Sequence, residues 1–152
     1  MRGPFSMRLN RPRASNAYLR VSPGVAFPHS AAAAEMLAAA VLDVAEIAPG
    51  DVVLESHAGA GWLTATLATR AAEIIAIEPN PDAVADAAEN LDALDNVAFY
   101  EATEAEALPA LAGAPDLAVF HSGGLSPAAG EWLAAARPGR VVVVAEVGLL
   151  AK

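Results

Sequence analysis

Between Asp51 and Val147 the chain repeats one pattern, a short apolar run followed by a helix-forming segment. The runs are "DVVLES", "EIIAIE", "NVAFYE", "DLAVFH" and "RVVVVAEV". A strand with one wet face would alternate apolar and polar residues, whereas near-continuous apolar runs suit strands covered on both faces. The intervening segments supply the cover: "GWLTATLATRA", "PDAVADAAENLDAL" with Pro81 and Asp82 in its first turn, "EAEALPALAG" and "SPAAGEWLAAA". A further helix, "AAAAEMLAAAVLDVAEI", precedes the first run, with Ser30 as N-cap and Pro49-Gly50 as terminator. Strands joined by helical crossovers make a parallel sheet with helices on its faces, because a right-handed crossover lays its helix on one. The expected class is α/β.

The 152 residues suffice for one domain with a single core. No apolar run approaches the roughly 20 residues of a membrane span, and a cytoplasmic protein is expected. Cysteine is absent, which removes thiolate nucleophiles, thiolate metal sites and disulfides from this chain. Charge divides the sequence. Residues 1–20 carry five arginines and no acid, leaving 4 basic and 18 acidic residues, 4 − 18 = −14, for the remainder. We therefore expect a basic, flexible arm over 1–20 and one domain over 21–152. A body that acidic repels phosphate backbones, so nucleic acid is a disfavoured partner.

In a sheet of this kind, ligands sit beyond the carboxyl ends of the strands. The first run ends in "VLESHAGAGWLT", where Gly59 and Gly61 permit a sharp turn and a close backbone approach to a ligand. The second ends in Glu78, 78 − 55 = 23 residues after Glu55, a spacing that suits an acid accepting hydrogen bonds from ribose hydroxyls. Thr64 stands where a dinucleotide fingerprint wants its third small residue, which favours an adenosine-type pocket over a dinucleotide site.

From about Val21 to Val147 the chain resembles the class I S-adenosylmethionine-dependent methyltransferases. "VLESHAGAGWLT" is similar to their first motif, with Glu55 as its acid, and "IIAIEPNPDAVADAAENL" to the second, with Glu78 as the ribose-binding acid. "NVAFYEATEAEAL" resembles the third region, which places Thr103 and Glu104 where the adenine is read. The resemblance implies a Rossmann-like three-layer sandwich of strand order 3-2-1-4-5, S-adenosylmethionine as cofactor, and Glu55, Gly59, Gly61, Glu78, Thr103 and Glu104 as its binding residues. "RVSPGVAF" and "LDNVAFYEATEAEAL" look like the uridine-5 RNA methyltransferases, whose chemistry needs a cysteine that this chain lacks. "FPHSAAAAEML" and "VLESHAGAG" look equally like the protein isoaspartyl and adenine-N1 tRNA methyltransferases.

Two departures stand out: His57 occupies a glycine position of the first motif, and the usual C-terminal antiparallel strands are lacking. "RVVVVAEV" would then be an open apolar edge, covered by the N-terminal extended piece or, as we expect, by a second copy in a homodimer.

For chemistry, the strand order brings His57 and His121 together across the switch point, with Glu146 nearby. His121 is the candidate general base and His57 its assistant; both are the catalytic expectation. A metal site from His29, His57, His121 and Glu146 is the weaker reading, and none is expected. Trp62 and Trp132 read as core or interface residues, and the acids along 82–106 as solvated helix faces. The functional expectation is methyl transfer to an unidentified small-molecule or macromolecular acceptor. The alternative is a catalytically degenerate domain that serves as an interaction or assembly module.

Overall fold

The computed structural model describes residues 5–8, 18–121 and 125–145, with side chains from Tyr18 onward. It opens with an antiparallel pair, β1 (Phe5–Arg8) and β2 (Tyr18–Val21). Helix α1 (Ala31–Ala45) follows, its first turn capped by Ser30 Oγ, which accepts from the Ala33 amide at 3.1 Å. The five apolar runs are strands β3 (Val52–Ser56), β4 (Glu73–Glu78), β5 (Val97–Glu101), β6 (Leu117–His121) and β7 (Arg140–Val144). Between them lie α2 (Trp62–Leu67), α3 (Pro81–Asn90), α4 (Glu104–Ala107) with a single 3-10 turn (Leu108–Ala110), and α5 (Pro127–Ala136).

The sheet is parallel throughout, in the order β5-β4-β3-β6-β7, which is 3-2-1-4-5 when its own strands are counted along the chain. Its two faces are covered unequally. On one face Val53, Ile74, Leu117 and Val119 pack with residues of α1 and α2 in the main core. Ala65, Ala87 and Leu91 extend that cover over Val97 and Phe99 of β5. On the other face Leu54, Ile77, Ala118 and Phe120 pack with Leu108, Ala129 and Trp132. Each fully buried Leu, Ile or Phe contributes about 1.5–3 kcal/mol. The crossover between β5 and β6 is brief because Pro109 cannot continue an α-helix. It leaves a groove of about 700 Å³ over Leu54, Ile75, Ile77 and Tyr100.

The N-terminal extended piece does not cover β7, as one of the two expectations had it; β2 packs on α3. The reason lies in two polar residues on the inner side of α3. Asn90 Oδ1 accepts from the Arg20 amide at 2.7 Å, and its Nδ2 donates to the Arg20 carbonyl at 2.8 Å, as a neighbouring strand would. Asp86 accepts from the Ser22 amide and hydroxyl, and Arg20 Nε lies 2.9 Å from it. Asp86 is fully buried, which corrects its reading as part of a solvated helix face. Leu19 is fully buried too, so the division after residue 20 falls inside β2.

Gly61 shows why the first motif needs its second glycine. Its φ is +81°, and a Cβ there would lie 2.8 Å from Leu91 Cδ1. The glycine thus lets α2 pack against the end of α3. Gly61→Ala is expected to cost about 2–4 kcal/mol in urea unfolding, from the left-handed backbone and the overpacking together. In a Leu91→Ala background the same change should cost only the backbone part, about 1–2 kcal/mol.

The base of the sheet is tied by Arg140, which donates to the Ala45 carbonyl at 2.6 Å, to the Glu46 carbonyl and to Asp51. It closes the left-handed C-terminus of α1, where Glu46 has φ 47°. The Ala48 amide, first, and Arg140, second, hold the Asp51 carboxyl below its ordinary pKa. A depressed folded-state pKa stabilises the fold above the unfolded value, near about 3.9, and that stability is lost as pH falls through the folded value. Urea midpoints of the intact chain should therefore drop below about pH 4. Asp51→Asn should flatten that part of the profile.

Candidate cofactor site

Strand β3 ends in a tight turn. Over Ser56–Gly61 the backbone enters the left-handed region at His57 (φ 56°), Gly59 (φ 58°) and Gly61 (φ 81°). His57 thus occupies a conformation that costs an L-residue about 1–2 kcal/mol, and the glycine position of the motif keeps its glycine geometry. Neighbouring elements hold the turn from three sides. The Ala58 amide donates to the Ile77 carbonyl at 3.2 Å, the Gly59 amide to Glu78 Oε2 at 2.8 Å, and Asn90 Nδ2 to the Ala60 carbonyl at 2.8 Å.

Glu78 is the joint between two strand ends. Its other oxygen, Oε1, accepts from the Asn80 amide at 2.8 Å. The carboxylate is 6% exposed and stands on the wall of a pocket of about 330 Å³ beyond the carboxyl ends of β3, β4 and β6. His57, Gly59 and His121 share that wall. Phe27, Pro28 and Leu37 line it too, supplied by the segment after β2 and by α1. Trp62, at the start of α2, is both core and pocket wall; its ring meets Phe27 edge-on at 6.2 Å and His121 at 5.9 Å.

Below the pocket, Glu55 Oε1 meets His121 Nε2 at 2.9 Å. With Nε2 as the donor of this bond, Nδ1 is the ring nitrogen that can accept. Glu55 is fully buried, and its Oε2 has no hydrogen-bond partner among the described residues, nor does the hydroxyl of buried Thr64. A buried carboxylate oxygen without a donor is costly. Glu78, held by two backbone amides on the pocket wall, fits the paired hydroxyls of a nucleoside.

The remaining expected residues have other surroundings. Gly61 does not line the pocket; its role is the contact with Leu91. Thr103 caps α4 in a capping box with Glu106, whose pKa is lowered mainly by the Thr103 amide. Glu104 is buried, accepts from Ser56 and Ser126, and lies 3.6 Å from His57 Nε2. It braces the start of α4 against the end of β3 and the start of α5, and so is no solvated acid. His57 and His121 meet around one pocket, as expected, but each turns a nitrogen to its own carboxylate. His29 is exposed, and among the described residues no group of three His, Asp or Glu is arranged to hold a metal ion. Glu146 and residues 122–124 lie outside the described residues. Sequence reading missed Asn90, Asp86 and Phe27; a polar residue on the inner side of a helix was the available signal for the first two.

Comparison with known proteins bears on the family and the fold. The family model for protein-L-isoaspartate(D-aspartate) O-methyltransferase matches residues 6–119. The human tRNA (uracil-5-)-methyltransferase homolog A is 33% identical over 94 residues, 60% of this chain and 15% of that protein. The chain thus spans less than a fifth of that relative's length. Precorrin 8W decarboxylase of Methanobacterium thermoautotrophicum superposes with a TM-score of 0.71 at 27% identity, over 82% of this chain and 68% of that one. The Pyrococcus abyssi tRNA (uracil-54, C5)-methyltransferase, in complex with S-adenosyl-L-homocysteine, gives 0.73 at 21% identity, over 95% and 35%, and shares the fold. The chain belongs to the protein-L-isoaspartate(D-aspartate) O-methyltransferase family, within the class I S-adenosylmethionine-dependent methyltransferases.

Proposed function

We propose that this chain binds S-adenosylmethionine in the pocket beyond β3, β4 and β6 and transfers its methyl group directly to an acceptor. The observation that carries this reading is Glu78. Two backbone amides hold its carboxylate on the pocket wall, where its remaining lone pairs can accept from a pair of ribose hydroxyls. The turn at His57–Gly59 borders the methionine end. When bound, the cofactor supplies an electrophilic methyl carbon on a sulfonium.

The chain's own residues then act on position and protons. Phe27, Pro28, Leu37 and Trp62 exclude water and fix the acceptor in line for the displacement. His121 Nδ1 takes the acceptor's proton while Nε2–H stays on Glu55, whose charge stabilises the resulting imidazolium. His57 stands beside it on the pocket wall. Thr103 and Glu104 brace α4 in this reading, and the relatives give no support to a catalytically silent module.

We propose further that the free edge of β7 pairs with a second copy of the chain. Val141 and Val143 are 43% and 44% exposed, and among the described residues no strand lies beyond β7. No helix of the described residues is long and apolar enough to cross a membrane.

Calorimetric titration should show S-adenosylmethionine and S-adenosylhomocysteine binding to the intact chain, weakened at least about thirtyfold in Glu78→Ala. Absence of heat at millimolar ligand would overturn the proposal. With any acceptor that is methylated, His121→Ala should lower turnover about 10²–10⁴-fold and leave cofactor affinity within about threefold. Sedimentation equilibrium at micromolar chain is expected to give a dimer; a monomer there would refute the β7 pairing.

A further inference from the structure

The groove over β4 and β5 lies on the face of the sheet and not at its strand ends. Its floor is apolar: Leu54 of β3, Ile75 and Ile77 of β4, and Leu111 just past the 3-10 turn. Tyr100 of β5 stands at its side, 53% exposed. Parallel sheets are covered by helices on both faces. On this face, however, the crossover from β5 to β6 supplies only the four residues of α4 and one 3-10 turn.

The dimensions left open are those of a helix. From β5 to β3 the groove spans two strand spacings, about 10 Å, and an α-helix with its side chains is about 10–12 Å across. Along the strands it runs from Glu73 to the level of Glu101, which pairs with Glu78. Those 78 − 73 = 5 steps make about 16 Å, or three helical turns. An extended segment suits the place less well. The backbone groups of the floor are already bonded within the sheet, so a strand laid across them would leave its own amides and carbonyls without partners. A helix satisfies its own and offers the floor side chains alone.

Both ends of the groove are acidic. Glu73 and Asp116 stand at the amino ends of the strands, Glu101 and Glu106 at the end of β5 and in α4, and no Lys or Arg lines it. Asp116 is fixed by the Val52 amide at 2.8 Å and Glu106 by the Thr103 amide at 2.9 Å. The complement is a helix with positive charge at each end of an apolar face. A second copy of this chain does not supply it, because none of its described helices contains a Lys or Arg.

We infer that the groove is the docking site for a helix of a partner protein, about three turns long, apolar along one face and carrying Lys or Arg at both ends. The partner's helix completes the layer that the short crossover leaves open.

The test offers the intact chain synthetic helical peptides of about 14 residues. One has leucine and alanine along one face and lysines at both ends, a second has glutamates in place of the lysines, and a third holds the residues of the first in scrambled order. Amide ¹H–¹⁵N signals locate binding, and fluorescence anisotropy measures it. The lysine-ended peptide is expected to shift the amides of Ile75, Ile77 and Tyr100 and to bind at least about tenfold more tightly than either of the others. In Glu73→Lys/Glu106→Gln, which keeps a capping side chain at position 106, its affinity should fall at least about tenfold and that of the glutamate-ended peptide should rise. Equal binding of the scrambled peptide, or an unchanged preference in the double variant, would overturn the inference. So would shifts confined to His57, Gly59 and His121, which would put the peptide in the pocket. Tighter binding of a peptide of residues 1–17 would also overturn it, by making the groove a seat for this chain's own arginines.

Discussion

The turn from Ser56 to Gly61 is the constraint on which the rest of the molecule is arranged. Three of its residues are left-handed, one of them a histidine, and such a path persists only where its surroundings over-determine it. Here the Ile77 carbonyl, the Glu78 carboxylate and the Asn90 amide each take a different peptide of the turn. Because Glu78 also holds Asn80, the ends of β3 and β4 are locked together at the wall of the pocket. Because Asn90 also pairs with both polar groups of Arg20, the same helix carries the strand whose continuation supplies one wall of the pocket. The site is therefore built by long-range polar contacts laid over an apolar sheet.

That division of labour explains the burial of so many charged residues. Glu55, Glu78, Asp86 and Glu104 are all buried, an expensive choice unless each is bonded. Asp86 and Glu104 receive serine donors and Glu78 receives amides, so these three are structural as well as polar. Glu55 differs, with one oxygen on His121 and the other without a donor.

The sheet's uneven cover bears on assembly. The crossover from β5 to β6 is cut to one α-turn and one 3-10 turn at Pro109, and the face above β4 and β5 is left as a groove. At the opposite side, β7 shows Val141 and Val143 to solvent. A chain of this size gains much by covering such surfaces, and this is the ground for the pairing of β7 proposed above.

How much of this was legible beforehand differs by kind of interaction. The five strands, their parallel arrangement and the glycine turn follow from local pattern, because apolar runs, caps and breakers act within a few residues of themselves. Ser30, Pro81 and the Pro49-Gly50 stop could each be read where they stand, and so could the 23-residue step from Glu55 to Glu78. Helix α2 came out shorter than its sequence suggested, since its end is set by packing and by turns after Leu67. The fate of the acids could not be read at all. Asp86 and Glu89 sit on one helix with the same local chemistry, yet one is fully buried and the other exposed. Which carboxylate finds a donor depends on residues some 20 to 70 positions away, and only the folded chain brings Arg20 to Asn90, Ser56 to Glu104 and His121 to Glu55. The sequence by itself determined the architecture and the place of the pocket. Tertiary structure decided which polar groups are spent on holding the fold and which remain for chemistry, because a hydrogen bond is allotted by distance in space, not along the chain.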